Sequence, residues 1–389
     1  MGGRFNLLRE FSIPLIAGVV IALVWVNLAP TTYHHFIHAR LLGPLSIHFL
    51  TNDIFMAFFF GIAAAEITQS CLPGGDLHPL GRAVNPLLAT FGGVAGPVAV
   101  YFILNGLVGS PALVSGWGIP TATDIAISWL VARLVLGNNH PAIAFLLLLA
   151  ITDDAIGLAI IAIFYPDPSL PTEPAWLLLT CLGMLAAWTM RRQRTGTYWP
   201  YVIVGGGLSW AGLYLASLHA ALALVPIVPF LPHPSREHKH LFEQDPKDLS
   251  TLAVFEHEWK VIVDLGLFMF GLANAGVHVS SLGTVTWLVV AALLIGKWIG
   301  ISAFSFLAVK LGFPLPVGMD YRHLAFVGIV AGIGFTVSLF IADQAFVDPL
   351  LQEEAKMGAL LSIGIALIAM AAGKMMGITK GHQQGSHDR

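Results

Sequence analysis

Asp153 and Asp154 stand side by side near the middle of an apolar run, residues 144–164. About 20 apolar residues cross roughly 30 Å of hydrocarbon as a helix. A carboxylate at the centre of such a helix costs about 2.5–3.5 kcal/mol to insert, so the pair costs on the order of 5–7 kcal/mol. Acids at that depth line a water-filled site or pair with a cation. Their oxygens can hold either a hard cation or a proton. The matching base is Lys297, which lies about 13 residues, or roughly 20 Å, from either end of another apolar span. Snorkelling reaches only from near helix ends, so Lys297 needs an anionic partner, and Asp153 or Asp154 is the candidate. Both roles for Lys297, carrying protons or holding the site together, are open at this level.

Two interrupted apolar segments complete the set. In 118–126 (Gly-Ile-Pro-Thr-Ala-Thr-Asp-Ile-Ala), Pro120 removes an amide donor and disfavours helix at Ile119, and the hydroxyls of Thr121 and Thr123 can satisfy freed backbone groups. Asp124 beside them distinguishes this stretch from a simple proline kink. In 329–338, Gly332, Gly334, Thr336 and Ser338 interrupt a second span. Alone, that pattern is also what close helix packing through small residues produces. Non-helical backbone at membrane depth is tolerated only where protein or a wet cavity surrounds it. Interrupted segments in corresponding positions of two halves point to a transporter site. If the two breaks cross, two helix N-ends meet, as do two C-ends, each end carrying about half a charge. An acid suits the first pair and a base the second; Asp124 is placed for one and Lys297 for the other.

The elements that must position these groups follow from composition. Of 389 residues, 56% are hydrophobic and only 11% charged, against about 25% charged in soluble domains. The chain is therefore expected to be an all-α polytopic membrane protein. A net charge of −3 offers nothing to a nucleic acid, and Cys71 and Cys181 suggest no disulfide framework. Hydropathy gives about twelve spans: 11–29, 49–69, 84–108, 116–137, 141–165, 174–190, 198–215, 217–231, 257–278, 284–309, 321–343 and 355–376. With both ends cytoplasmic, fifteen of the nineteen Lys and Arg residues fall inside and only Arg40 and Lys356 outside. That asymmetry obeys the positive-inside rule. Residues 1–376 read as one transmembrane domain, 232–258 as a cytoplasmic loop and 377–389 as a polar tail. The histidines of the loop (His233, His238, His240, His257) are irregularly spaced and read as solvated rather than as metal ligands. No P-loop, dinucleotide fingerprint, zinc spacing or nucleophile elbow occurs.

Taken together, 119–125, 150–154, 205–220, 272–276, 294–302 and 332–340 resemble the NhaA-type sodium/proton antiporters. The resemblance covers most of the chain from about 50 to 376. It implies two inverted repeats, 84–165 and 284–376 (helices III–V and X–XII), whose broken helices cross at the midplane. It implies electrogenic exchange of Na⁺ (and Li⁺) for H⁺ in a bacterial inner membrane, serving sodium and pH homeostasis, with no cofactor and no enzymatic activity. Asp153, Asp154 and Thr123 match the family's cation and proton site, Asp124 and Lys297 its charge compensation, and His219 and Glu66 its pH response. A homodimer in membrane lipid also belongs to the family pattern. There are departures. Gln69 and Ser70 replace a basic–acidic cluster after the position of Glu66, the loop 30–48 is short for the family's dimerising hairpin, and Thr152 adds a hydroxyl beside the aspartates. Two other readings of membrane acids compete. An intramembrane aspartyl protease lacks its GxGD context here. A sodium-coupled symporter of related fold would need an arginine or further polar groups for an organic solute, and the site offers none.

Overall fold

A computed structural model describes residues 13–42, 45–72, 80–137, 140–166, 173–233 and 250–378. Among the described residues the regular structure is helical apart from one short antiparallel ladder. In order it runs α1 (Ile13–Leu28), α2 (Pro30–Ile37), β1 (Arg40–Leu42), β2 (Leu45–Ser46), α3 (Ile47–Cys71), α4 (Leu80–Val108), a 3₁₀ segment (Pro111–Thr121), α5 (Ile125–Leu136), α6 (Pro141–Phe164), α7 (Leu177–Arg192), α8 (Tyr201–Leu215), α9 (Thr251–Asn274), α10 (Thr284–Lys310), α11 (Tyr321–Val330), α12 (Phe335–Ala345) and α13 (Pro349–Met375). The ladder pairs Arg40 with Ser46 and Leu42 with Leu45, in a stretch expected to be loop.

Among the described residues, five helices are long and apolar enough to cross a membrane, or seven if each bent pair counts as one span. The bent pairs are Pro111–Thr121 with α5, at 55°, and α11 with α12, at 46°. Shorter apolar helices are α1, α8 and the second half of α9. Starts are set by side chains that accept the orphan N–H groups of a first turn. Asp348 accepts from Leu350 at 3.0 Å and Ser250 from Ala253 at 3.2 Å. Pro141 and Pro349 occupy first helical positions, where the missing N–H costs nothing.

Two expectations need correction. Residues 217–231 are not a regular α-helix but a run of successive 3₁₀-type turns, with 3₁₀ pieces at Ala220–Leu222 and Val228–Phe230. Their apolar composition suits burial in protein as well as in lipid. The loop expected over 232–258 ends early, because Ser250 starts α9 and carries Glu256, His257, Glu258 and Lys260 on a helix. Residues 234–249, with His238 and His240, lie outside the described residues, as do 379–389.

The chain divides into two compact units. Unit 1 comprises 1–78, 154–281 and 343–347; unit 2 comprises 79–153, 282–342 and 348–389. The division falls in α6, between Asp153 and Asp154. In unit 1, α1 packs on α9, with Gly18 against the backbone of Phe268 and Leu272. In unit 2, α4 packs on α10 through facing glycines. A Cβ on Gly92 would overlap the carbonyl of Gly300, and one on Gly96 that of Gly296. The two backbones touch there.

Candidate functional site

The site is built where the two breaks meet in unit 2. Ala122 and Asp124 are extended between the 3₁₀ segment and α5, and 331–334 form the turn between α11 and α12. The crossing is tied by main chain first, with the Asp124 amide donating to the Ile333 carbonyl at 2.6 Å.

Asp124 then gathers the two N-ends. One carboxylate oxygen accepts from the Ile127 amide at 3.0 Å, inside the first turn of α5. The other accepts from the Thr336 amide at 3.3 Å and from the Thr336 hydroxyl, in the first turn of α12. One buried carboxylate thus faces two positive helix ends and accepts from the first turn of each.

The C-ends are capped by hydroxyls and by Lys297. Ser128 donates to the Val330 carbonyl at 3.1 Å, Thr123 to that of Ala331 at 2.8 Å, and Ser338 to that of Ile119 at 2.7 Å. The Lys297 ammonium donates to the Thr121 carbonyl at 2.5 Å, to the Thr123 hydroxyl at 2.9 Å and to the Asp153 carboxylate. Lys297 and Asp153 are both fully buried. Three acceptors match the three donors of an ammonium.

The second Asp153 oxygen, Oδ1, is buried and takes no hydrogen bond among the described residues. Asp154 is partly exposed, as is Thr152, whose hydroxyl donates back to the Leu148 carbonyl at 2.8 Å. Carboxylate, hydroxyl and carbonyl oxygens are the donors a hard cation takes in place of water.

The structure therefore brings Thr123, Asp124, Asp153 and Lys297 into one hydrogen-bonded constellation. His219 and Glu66 belong to unit 1. His219 is buried and starts the turn Ala220–Leu222. Glu66 lies on α3 within electrostatic reach of Lys260 and Glu256. Gln69, in place of a charged residue, donates to Glu256 at 2.7 Å.

Several supports escaped the sequence. A π-helical turn, Ala292–Gly296, immediately precedes Lys297; such turns recur at functional sites. The start of α6 meets the start of α11 through His140 and His323, whose rings lie 4.4 Å apart, and His323 bonds Asp320 at 2.8 Å. Burial and the neighbouring His323 push the His140 imidazole below its ordinary value. In unit 1, Asn52 and Asn274 exchange hydrogen bonds at 2.8 and 3.1 Å, and Asn52 also donates to Asp343 at 3.3 Å. The Asn-Asp pair at the start of α3 was the available signal for that cluster.

Comparison with known proteins places the chain among relatives of one kind. The profile of the family described as Na+/H+ antiporter 1 matches residues 7–375. A relative from Geotalea uraniireducens (strain Rf4), named Na(+)/H(+) antiporter NhaA, is 68% identical over 97% of this chain and 98% of its own length. One of the same name from Geobacter sulfurreducens (strain ATCC 51573 / DSM 12127 / PCA) is 63% identical over 98% of this chain and 100% of its own. Another, from Jannaschia sp. (strain CCS1), is 43% identical over 97% of this chain and 98% of its own.

Proposed function

Because the chain belongs to the NhaA-type sodium/proton antiporter family, we propose that Asp153 and Asp154 are the groups on which its two ions exchange. The protein is a multi-pass membrane transporter, not an enzyme, and it exchanges Na⁺ for H⁺. The observation that carries the assignment is the pairing of a fully buried Asp153 with Lys297 while Asp154, the next residue, keeps part of its surface open.

Burial and a nearby cation pull a carboxylate's protonation in opposite directions. A group so balanced takes a proton or a Na⁺ at working pH, but not both. Antiport follows if the site opens to one side at a time and only an occupied pair crosses. In this reading Thr123 adds a hydroxyl ligand, and Asp124 and Lys297 neutralise the helix ends. The repeats 84–165 and 284–376 are supported by a shared order: a long helix, a bent pair, a long helix. Li⁺, a hard monovalent cation like Na⁺, is a second substrate. His219 and Glu66 are assigned to the pH response. A homodimer in lipid would find an open strand edge on the β1–β2 ladder.

The test is proton flux in reconstituted liposomes with Na⁺, Li⁺ and K⁺ added in turn. Na⁺ and Li⁺ are expected to collapse an imposed pH gradient and K⁺ to leave it; no response to Na⁺ would sink the assignment. We place the protein in a bacterial inner membrane with both termini cytoplasmic, on the distribution of Lys and Arg. A C-terminal tag is then reached by antibody only in permeabilised cells. Labelling of intact right-side-out cells would refute the orientation.

A further inference from the structure

The N–H of Gly334 sits at the start of α12, among the amides that have no acceptor within the helix. At membrane depth such a donor needs a protein partner. Asp124 takes the Thr336 amide two residues on. The Gly334 amide goes instead to the hydroxyl of Ser362, at 3.3 Å. Ser362 is fully buried on α13, where the helix tightens into a single 3₁₀ turn, Ser362–Gly364. Its own proton is given to the Ala359 carbonyl at 2.6 Å. That bond fixes the rotamer and leaves the oxygen's lone pairs for Gly334.

We propose that Ser362 is a positioning residue for ion exchange, holding the 331–334 turn in register against 122–124. The proposal rests on the reading of Asp153 and Asp154 as the exchanging pair. The path from Ser362 to the pair has no gap. Gly334 adjoins Ile333, whose carbonyl takes the Asp124 amide. Ala331 takes the Thr123 hydroxyl, and the same hydroxyl receives the ammonium of Lys297 that pairs with Asp153. Gly334 is also hemmed in. A Cβ there would lie 2.5 Å from the Ser338 hydroxyl and 2.8 Å from Leu293. Gly334 is thus held on one side by packing and on the other by the Ser362 hydroxyl. Without that hydroxyl the Gly334 end of the turn loses its tie, and the Ala331 and Ile333 carbonyls that orient Thr123 and Asp124 shift against a fixed Lys297.

The experiment compares Ser362→Ala and Ser362→Thr with wild type in the liposome flux assay, over a Na⁺ titration at several pH values, with melting temperatures in detergent alongside. Ser362→Ala is expected to raise the Na⁺ concentration for half-maximal flux about three- to tenfold, the size of one lost hydrogen bond. Maximal flux should change little, and Ser362→Thr should restore the half-saturation. Wild-type half-saturation in Ser362→Ala overturns the proposal, with or without a lowered melting temperature. A rise that Thr does not reverse also overturns it, since volume and not the hydroxyl is then responsible. Asp154→Asn in the same liposomes separates the two levels. If it is inactive while Ser362→Ala behaves as wild type, only the positioning role fails; if it is active, the ion site itself is misassigned.

Discussion

Asp154→Asn is expected to abolish Na⁺-driven proton flux in a protein that still folds. Asn keeps the volume and removes both the charge and the titratable proton. Successive helical residues point about 100° apart, and here the two aspartates divide accordingly. Asp153 is fully buried against Lys297, and Asp154 is partly exposed. Removing the Asp154 charge leaves the fully buried Asp153–Lys297 pair in place, and the loss should appear chiefly in transport. Asp153→Asn should impair flux as severely unless Lys297 becomes the second titrating group, and it should also lower stability, because it strips a buried ammonium of its counter-charge. Two carboxylates this close release protons with apparent pKa values that belong to the pair. In wild type, the Na⁺ concentration for half-maximal flux should climb steeply as pH falls, since protons occupy the same oxygens. The measurement is flux against pH and Na⁺ for wild type and both variants. Wild-type flux from Asp154→Asn, or a half-saturation flat with pH, would end the competition mechanism.

Lys297→Ala carries the largest expected effect on stability. It leaves the Asp153 carboxylate fully buried with no cation, and breaking a buried pair from one side costs about 3–5 kcal/mol. It also removes a donor from the Thr121 carbonyl and from the Thr123 hydroxyl. Thermal melting in detergent should fall by several degrees. The decisive comparison is the double variant Lys297→Ala with Asp153→Asn. With both charges gone it should recover part of the loss, a coupling that additive effects cannot give. An unchanged melting temperature for the single variant would mean that the pair contributes nothing to the folded state.

The charged groups of the site were legible in the sequence because each stands out against an apolar run. Both breaks were legible too, one through Pro120 and Asp124, the other through Gly332 and Gly334. Which aspartate meets Lys297 was not. It depends on the rotation of α6 about its axis, and that is set by packing, not by spacing. The 3₁₀-type turns at 217–231 were not legible because hydropathy counts apolar side chains and is blind to the hydrogen-bond pattern of the backbone that carries them. The early start of α9 was hidden by Glu256, Glu258 and Lys260, which made helical residues look like loop. Ser362 was invisible for a different reason. A single hydroxyl in an apolar helix is ordinary, and its meaning comes only from a glycine 28 residues away.

The glycine crossing of α4 and α10 bears on what can move. At Gly92–Gly300 and Gly96–Gly296 no side chain lies between the backbones to act as a bearing surface. Helices meshed through main-chain atoms cannot slide or roll past one another without separating. Lys297 follows Gly296 directly, so its Cα is anchored to α4 like a post set in a wall. Within this unit the backbone that carries the positive charge is a stationary reference, about which side chains can swing. A lysine so fixed would sense the ion by gaining or losing its carboxylate partner, not by travelling with it.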